Sequence, residues 1–568
     1  MKSLRQRFVN PAVLIVCASC AVFLLMLAVC RRMHPQLNVM DYYGYRELAR
    51  NIFQRLDFTV RWELDAPFGY PPLFPILAHL VTFVARDFVR SIQYLNMFSA
   101  SFCLVPLFLL VRKILNTYSA VLTVVFSLCY FGLRPCYDLR SDQFFCLLLI
   151  ATCWYVWTNL NDKDQRSWKY FVAGLLMSFA YLTKYSGLLF CLAGAASIFY
   201  CFSRQENGRK KAVTKVAFLL LGAAPLVIGY HLLVLNSSRN ATVLSISAYT
   251  FFDGNAIYEG GPQLREKRMR ELDPAGTEFN FISFLKKNNT LSFSREHPGF
   301  VFRKYIWGLK TVVKVLVLRV FPFANTWRDA SLFGLESVFI LLLVIGALSS
   351  RSRPGLMHVL LFASIIAFFP LVHVYDERYI MPFVPLYFVL VLSGVSAVYG
   401  SIGPRIKPRL LRASIGVAFF VLLCCLYLVN GYRGARHDYT ASTAKGQYEE
   451  FLETASWIKN DAQHSAKRLK IMSRYTAISY LTDSEFIILP YTLDWDKIID
   501  FAVSRNVDYI VIDEAYLSRY RSDQWNYFRN ATVPRAHVQM VAGSKVNDNM
   551  IWILKISDRA GESTENGG

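Results

Sequence analysis

Eleven long apolar runs, separated by short polar loops, dominate the chain. A helix needs about 20 predominantly apolar residues to cross a bilayer, so runs of this length are typical of membrane spans. They lie near residues 11–30, 91–111, 118–133, 143–158, 169–184, 186–202, 213–235, 331–349, 356–373, 379–400 and 412–430. The sequence therefore predicts an α-helical polytopic membrane bundle with about eleven spans.

Two further runs, 72–86 and 301–321, fit a span less well. The first is brief and follows Pro71-Pro72, and the second carries basic residues along its length. If both are interfacial helices and the N-terminus is cytoplasmic, the basic loops all fall inside, as the positive-inside bias requires. One outer face of the membrane then contains the segments 31–90, 134–142, 237–330 and 374–379, the turn at Lys184 and the part of the chain that follows Gly431.

The composition changes after Gly431, where amphipathic and β-prone segments replace the apolar runs. Helices are predicted at 448–461 and 495–505, and strands at 468–472, 486–489, 507–512, 536–541 and 550–556. Alternation of this kind indicates a small α/β domain. We therefore expect a membrane body (1–430, with outer loops 31–90 and 237–330), an extracytoplasmic α/β domain (431–557) and a disordered tail (558–568).

The net charge is +22, from 62 Lys and Arg against 40 Asp and Glu. Much of the excess lies in short loops between apolar runs, such as 204–215 and 405–412, where it indicates membrane orientation rather than a nucleic-acid partner. The 12 cysteines lie in or beside apolar segments, and none follows Cys425. The C-terminal domain therefore has no disulfide framework.

Acidic residues stand at the outer membrane edge in two of the predicted loops. Asp41 follows the first span and opens a helix-like segment, and Asp142 directly precedes an apolar run, with Asp138 close by. A carboxylate at the bilayer edge can act as a general base toward an acceptor hydroxyl, and an ionisable residue there is a functional candidate. Each acid could instead cap the helix that follows it, and Asp142 could pair with Arg140.

Basic residues occupy two further turns on the same predicted face. Lys184 lies between two apolar runs, and Arg378 and Tyr379 lie in the short loop before another. Lys and Arg side chains bind phosphate groups, so these turns are candidates for holding a lipid phosphate at headgroup depth. The alternatives are snorkelling of Lys184 toward the interface and an ion pair between Arg378 and Asp376 or Glu377.

In their order along the chain, these elements resemble the GT-C glycosyltransferases. The resemblance is to the family 39-like group, which includes protein O-mannosyltransferases and bacterial aminoarabinose transferases. The matching pieces, within about residues 10–400, are the Asp41 segment, Gly69-Tyr70-Pro71-Pro72-Leu73, the Asp142 segment, Leu182-Thr183-Lys184 and Arg378-Tyr379-Ile380-Met381-Pro382. The C-terminal portion resembles the soluble outer domains of some bacterial members.

The resemblance implies a membrane-bound hexosyl or pentosyl transferase. Its donor would be a polyprenyl-phosphate sugar, its acceptor a glycan, lipid or protein, and its site extracytoplasmic, with in-line displacement of the phosphate and usually inversion. Asp41 matches the family's catalytic aspartate and is the expected general base. Asp142 matches the second-loop acid and is the second expected catalytic residue, with a role in positioning the acceptor or a metal. Arg378 matches the Arg-Tyr element, and we assign the donor phosphate to Lys184, Arg378 and Tyr379. Further candidates for contacting the acceptor or forming a lid are Asp138, Arg140, Tyr70 and Arg303.

Two departures from the family pattern limit which donor sugar and which type of acceptor we expect. Gly69 and Tyr70 stand where aminoarabinose transferases carry Glu-Lys, which argues against that sugar. The segment 237–330 is too short for the β-trefoil insert of eukaryotic O-mannosyltransferases. Together with the added α/β domain, this favours a bacterial inner membrane with a periplasmic site over the ER membrane.

Two other functional classes stay open at this point. A ligase or polymerase of lipid-linked glycans would share the membrane location and the basic outer loops. A flippase or transporter of lipid-linked sugars would be expected to show paired repeats or broken helices at the bilayer midplane, and the sequence has no such repeat. No cofactor is certain, and a divalent metal such as Mg or Mn is left open.

Overall fold

The computed structural model describes most of the chain. It covers residues 11–37, 41–60, 68–162, 166–203, 208–237, 258, 290–320, 332–350, 353–368, 377–402, 409–443, 447–463, 467–474, 476–490, 494–514, 517–518, 522–530, 538–546 and 549–556. The predicted tail and most of the predicted loop 237–330 lie outside these residues. The described residues form a large helical body, a two-stranded ribbon and a five-stranded sheet.

Helices α1 to α18 make up the membrane body, together with the ribbon of β1 (Thr59–Val60) and β2 (Phe68–Gly69). The helices are α1 (Pro11–Cys30), α2 (Asp41–Arg55), α3 (Leu73–Ala85), α4 (Phe88–Phe102), α5 (Leu104–Ile114), α6 (Thr117–Phe131), α7 (Arg134–Tyr137), α8 (Asp142–Leu160), α9 (Trp168–Thr183), α10 (Leu188–Ser203), α11 (Gly208–Ser237), α12 (Thr290–Glu296), α13 (Pro298–Val320), α14 (Leu332–Ser349), α15 (Pro354–Ala363), α16 (Glu377–Ile380), α17 (Val384–Ile402) and α18 (Arg409–Thr443). As far as they are described, the eleven apolar runs are mainly helical. Run 91–111 is divided between α4 and α5, and run 356–373 continues from α15 into a 3-10 helix, Ser364–Phe368.

Seven helical stretches in the described part of the chain are long and apolar enough to cross a bilayer. They are Pro11–Cys30, Phe88–Ile114, Thr117–Tyr137, Asp142–Leu160, Tyr185–Ser203, Gly208–Ser237 and Met381–Ser401. The predicted polytopic helical fold is thereby confirmed. The doubtful run 72–86 forms α3, whose 13 residues make about 20 Å of helix, short of the hydrocarbon core of about 30 Å.

Close packing between α9 and α11 depends on glycine. A Cβ on Gly174 would lie 2.0 Å from the carbonyl oxygen of Leu219, and a Cβ on Gly222 would lie 2.0 Å from that of Phe171. Both glycines therefore let the two backbones touch. Small residues are typical of helix interfaces in membranes, because apolar side chains gain little by leaving lipid. The contact fixes α9 and, with it, the Lys184 turn that follows.

A five-stranded sheet forms the core of the C-terminal domain. Its strands are β3 (Lys470–Ser473), β4 (Glu485–Ile488), β5 (Tyr509–Asp513), β6 (Val538–Val546) and β7 (Asn549–Ile556), in the order β4-β3-β5-β7-β6. β3 runs parallel to β4 and β5, and β7 runs antiparallel to its two neighbours. The accompanying helices are α19 (Gln447–Asp461), α20 (Thr476–Leu481), α21 (Trp495–Ser504) and α22 (Ser522–Asn530). The expected α/β domain is confirmed.

Helix α18 joins the two parts of the molecule. Its 35 residues make a helix of about 52 Å, which is longer than the hydrocarbon core. Beyond Gly431 the helix packs against the segment that leads into α8, since a Cβ on Gly132 would lie 3.7 Å from Asp438. The Ser442 carbonyl accepts a hydrogen bond from the His34 N–H at 3.1 Å. The C-terminal domain is therefore held at the end of the bundle where these segments lie.

Candidate active site

Four segments that are far apart in sequence meet at one end of the bundle. They are the N-terminus of α2, the loop between α7 and α8, the turn Tyr185–Gly187 after α9, and the short helix α16. The sequence predicted that all four share one face. Contacts between charged, hydroxyl and aromatic side chains tie them together, and these contacts define the candidate site.

Asp41 is the first residue of α2, and its side chain is 21% exposed. One carboxylate oxygen accepts a hydrogen bond from the Tyr70 hydroxyl at 3.0 Å, and the other lies 3.8 Å from Nε of Arg140. A negative charge at a helix N-terminus is also favoured by the helix dipole. The carboxylate is therefore oriented on one side and accessible on the other, as a general base toward a bound acceptor must be.

Tyr70 is itself held by aromatic residues of α2 and α11, and the turn after α9 supports the second of these. Its ring packs edge-on against Tyr45 at a centroid distance of 5.4 Å, and its carbonyl oxygen accepts a hydrogen bond from the Tyr230 hydroxyl at 2.8 Å. The hydroxyls of Tyr230 and Tyr185 lie 3.0 Å apart. The end of α11 and the turn after α9 therefore orient Tyr70 toward Asp41.

Two buried amides on α4 hold the loop between α7 and α8. Asn96 donates hydrogen bonds to the carbonyl oxygens of Asp138 and Arg140, both at 2.8 Å, and Gln93 donates to the carbonyl oxygen of Cys136. The two amides are three residues apart, so they lie on one face of the helix. The backbone of the loop is therefore fixed to α4, which places Asp138 and Arg140 beside Asp41.

Asp138 is enclosed between two arginines. Its side chain is 4% exposed and lies 3.5 Å from Arg134 and 3.9 Å from Arg140. Burial raises the pKa of Asp138 above the usual carboxyl range, although both arginines favour its charged form. Since Arg140 also contacts Asp41, it links the two carboxylates. Asp138 is therefore suited to orienting Arg140 rather than to meeting a substrate.

Asp142 forms an ion pair with Lys184 and not with Arg140. It is the first residue of α8, its side chain is 1% exposed, and one carboxylate oxygen contacts Nζ of Lys184. The Lys184 ammonium also lies 5.0 Å from the ring centroid of Tyr379 and 5.8 Å from that of Phe145. A buried charge needs a partner, so each residue of the pair stabilises the other. The pair brings the turn after α9 against α8 and α16.

Two of the predicted site residues are placed less closely. The backbone of Arg378 lies in α16 next to Tyr379, while its side chain falls outside the described part. Arg303 is exposed on α13, and within the described residues it contacts none of the three acids. The structure thus brings together seven of the predicted residues, namely Asp41, Tyr70, Asp138, Arg140, Asp142, Lys184 and Tyr379. Their roles in catalysis stay predictions.

Sequence reasoning missed the residues that support this site. Gln93 and Asn96 gave a readable signal, because two amides three residues apart within an apolar run are costly unless they bind something. Tyr45 was part of the family resemblance of the Asp41 segment, but its contacts were not predicted. Tyr230 gave no signal, because tyrosine is common at the membrane interface whatever its contacts. Tyr45 also donates a hydrogen bond to the Ser141 hydroxyl at 3.1 Å, so it connects α2 to the start of α8.

Each of the three acids in the described part of the site lies beside a cation. Within the described ranges, no group of three His, Cys, Asp or Glu side chains comes together. Asp41 and Asp138 lie beside Arg140, and Asp142 lies beside Lys184. Mg and Mn favour sites with several oxygen ligands. Carboxylates that are paired with cations in this way do not fit such an ion.

One part of the chain matches a known protein family. Residues 69–230 match the family model of dolichyl-phosphate-mannose-protein mannosyltransferases, a segment that includes Tyr70, Asp138, Arg140, Asp142 and Lys184. No curated protein sequence matches the chain.

Solved structures are similar over most of its length. The archaeal oligosaccharyltransferase AglB from Archaeoglobus fulgidus, in complex with an inhibitory peptide and a dolichol-phosphate, aligns with a TM-score of 0.54 and 13% identity, over 89% of this chain and 71% of that chain. ArnT from Cupriavidus metallidurans, bound to undecaprenyl phosphate, aligns with a TM-score of 0.51 and 13% identity, over 95% and 97%. The resemblance predicted from the sequence is confirmed: the chain has the GT-C glycosyltransferase fold, and residues 69–230 match the mannosyltransferase family.

Proposed function

We propose that this chain is a membrane glycosyltransferase that moves a sugar from a polyprenyl-phosphate carrier to an acceptor hydroxyl. The observation that carries the proposal is Asp41, a partly exposed carboxylate held by Tyr70 and Arg140 at the end of a membrane bundle. The lipid phosphates bound by AglB and ArnT support a donor of that class. The acceptor is a glycan, a lipid or a protein.

Asp41 acts as the general base in this mechanism. Its carboxylate takes the proton of the acceptor hydroxyl while that oxygen attacks the anomeric carbon of the donor. The bond between the anomeric carbon and the phosphate oxygen breaks, and the phosphate leaves with the electron pair. Because the attack is in line, the anomeric centre is inverted. Tyr70 and Arg140 keep the carboxylate oriented, which reduces the reorganisation needed at the moment of reaction.

The leaving phosphate binds at the Lys184 turn. The ring centroid of Tyr379 lies 5.0 Å from Nζ of Lys184, and Tyr379 follows Arg378 directly in α16, so the backbone of Arg378 lies near the Lys184 turn. Cations placed where negative charge develops stabilise the transition state. Asp142 holds the Lys184 ammonium in this position. Its burial makes Asp142 a positioning residue for Lys184 rather than a second base.

The site lies on the extracytoplasmic face in this proposal, because the basic loops at the other end of the bundle follow the positive-inside bias. The C-terminal domain, which has no cysteine, is on the same side. Among membranes with such a face we favour a bacterial inner membrane with a periplasmic site. Membrane-impermeant amine reagents applied to intact cells test this orientation, since they should modify the exposed Lys459 of α19.

The test of the function is transfer by the purified full-length protein. A panel of radiolabelled polyprenyl-phosphate sugars is offered with a membrane extract as acceptor, and wild type is compared with Asp41→Asn. The variant keeps the shape of the side chain but cannot take the proton. Asp461→Asn, which breaks an ion pair with Lys555 inside the C-terminal domain, is the matched control. Transfer by wild type and the control but not by Asp41→Asn supports the proposal, and equal transfer by all three contradicts the role of Asp41.

A second candidate is transfer of a whole oligosaccharide from a lipid carrier. It is favoured by the fold of AglB, an oligosaccharyltransferase with a similar TM-score. The same assay separates the two, because a lipid-linked oligosaccharide can be added to the donor panel. Transfer of labelled oligosaccharide, with none from any monosaccharide donor, would replace the first proposal by the second.

A further inference from the structure

Helix α2 lies between two bodies, the membrane bundle and the C-terminal domain. Residues two apart on an α-helix point about 200° apart, that is, to opposite faces. Asp41 and Tyr45 form the face toward the bundle, where they contact Tyr70 and Ser141. Tyr43 and Glu47 form the opposite face, and among the described residues their hydrogen bonds, ion pairs and ring contacts are with the C-terminal domain or within α2 itself.

Tyr43 binds the free edge of the sheet. Its buried hydroxyl donates a hydrogen bond to the Ser484 carbonyl oxygen at 3.2 Å and accepts one from the Phe486 N–H at 3.0 Å. β4 is an edge strand, and its neighbouring residue Glu485 bonds to Leu469 on the β3 side. The backbone groups of Ser484 and Phe486 therefore point away from the sheet, where an edge strand has unpaired donors and acceptors. The Tyr43 hydroxyl satisfies one of each.

Charged residues extend this contact along α2. Glu47 lies 3.1 Å from Arg468, which also donates a hydrogen bond to the Ser484 carbonyl oxygen at 3.4 Å. Arg46, the residue before Glu47, pairs with Asp483 and lies 4.9 Å from the ring centroid of Tyr480. The contact therefore combines a buried hydroxyl with ion pairs on both sides of it.

The same domain also contacts α4, which carries the amides that hold the second loop. The Tyr480 hydroxyl donates a hydrogen bond to Asp87 at 2.9 Å and accepts one from the Val89 N–H at 3.4 Å. Asp87 caps α4 through the Arg90 N–H at 2.8 Å. The C-terminal domain thus contacts the N-terminal parts of both α2, which carries Asp41, and α4, which carries the amides that hold the loop of Arg140.

We propose that the C-terminal domain positions the catalytic base, with Tyr43 and the Glu47–Arg468 pair as the positioning residues. This inference rests on the proposed function, because it takes Asp41 to be the base. A helix of 15 residues is marginal in water on its own, so the orientation of α2 has to come from packing on its two faces. A misplacement of about 1 Å at a reacting group can cost on the order of a hundredfold in rate.

Through these contacts, the C-terminal domain contributes to catalysis by holding the helix that carries Asp41. Its sheet edge holds one face of α2 while Tyr70 and Arg140 hold the carboxylate on the other. Loosening the edge contact should let the N-terminus of α2 tilt away from the loop that carries Arg140. The loss should then appear in kcat, because the donor phosphate binds elsewhere, at the Lys184 turn.

The experiment uses the full-length protein in detergent and two independent readouts. Tyr43→Phe removes both hydrogen bonds and keeps the ring, and Asp461→Asn is the control that breaks contacts to Lys555 and Tyr509 away from α2. Backbone hydrogen exchange of α2 should rise roughly tenfold in Tyr43→Phe and stay unchanged in the control. Transfer should fall about ten- to a hundredfold in kcat with the donor KM unchanged.

A double-mutant cycle tests the ion pair between Glu47 and Arg468. It also tests the proposal if Tyr43→Phe folds poorly. Glu47→Gln, Arg468→Gln and the double variant should lose similar amounts of kcat, since either single change already breaks the pair. Additive losses overturn the role of the pair. Unchanged exchange of α2 overturns the positioning of Asp41, and so does faster exchange with unchanged kcat. If wild type transfers from no donor, the proposed function fails, and the exchange of α2 alone decides whether the domain restrains this helix.

Discussion

Asn96 should control the geometry of the second loop from inside the membrane. Its side-chain amide donates to the carbonyl oxygens of Asp138 and Arg140, both at 2.8 Å, and the residue is fully buried on α4. Asn96→Ala removes both hydrogen bonds and leaves two carbonyl groups without this donor. The loop should then shift, and Arg140 should no longer hold Asp41.

The magnitude follows from the two bonds. A buried acceptor that loses its hydrogen-bond donor lowers the stability of a soluble protein by about 1–3 kcal/mol. Hydrogen bonds between membrane helices contribute less to stability, on average about 0.6 kcal/mol and at most about 1.7 kcal/mol. Because the loop lies at the membrane edge, we expect a total loss of about 1–3 kcal/mol. If this loss is felt in the transition state, kcat falls about five- to a hundredfold. Asn96→Asp should be worse, since a carboxylate cannot donate and would lie near Asp138.

The assay is sugar transfer with kcat and KM determined separately, together with thermal unfolding in detergent. Ser99→Ala is the matched control, because Ser99 is also buried on α4 but donates only within its own helix, to the Leu95 carbonyl at 2.6 Å. The control should keep its kcat. The reasoning is refuted if Asn96→Ala keeps wild-type kcat, or if Ser99→Ala lowers kcat as much as Asn96→Ala does.

Three further predictions concern pH, helix packing and metal. Burial raises the pKa of Asp138, so the folded state binds the proton of this carboxyl more tightly than the unfolded chain does. The wild type should therefore lose stability relative to Asp138→Asn as the pH rises from about 3.9 through the raised pKa. A difference in stability between the two proteins that does not change with pH would contradict this prediction. Gly222→Ala should lower the unfolding temperature, because its Cβ would meet the Phe171 carbonyl oxygen at 2.0 Å, while Gly229→Ala on the same helix, with open space around it, should not. EDTA should leave transfer unchanged, because the site acids are paired with Arg140 and Lys184; loss of activity that Mg or Mn restores would contradict that.

Much of the fold was predictable because membrane helices and alternating strands leave local patterns. The apolar run 143–158 lies within α8, and the β-prone run 507–512 corresponds to β5, a strand whose residues are all buried. The positive-inside bias also grouped the right loops, since Asp41, Arg140 and Lys184 do lie at one end of the bundle. Each of these inferences needed only neighbouring residues and the charge of a loop.

The partners of the site residues were not predictable in this way. The sequence allowed Asp142 to pair with Arg140, two residues away, but the structure pairs it with Lys184, 42 residues away. The orientation of α9 decides this, and that orientation depends on the contact of Gly174 with α11. The contact of Tyr43 with Phe486 joins residues 443 positions apart, for which no local pattern exists.

The sequence by itself determined where long apolar helices form, which loops share a face and that an α/β domain follows the helical body, because burial in lipid and backbone pairing act on stretches of neighbouring residues. It did not fix the boundary between the two, since the predicted start at residue 431 lies inside α18, which continues to Thr443. Only the tertiary structure decided which acid is accessible, which cation each acid pairs with and what holds the helix of Asp41. These features depend on distances between side chains on different helices. Packing sets such distances to within an ångström, and many sequences with the same pattern of apolar runs would set them differently.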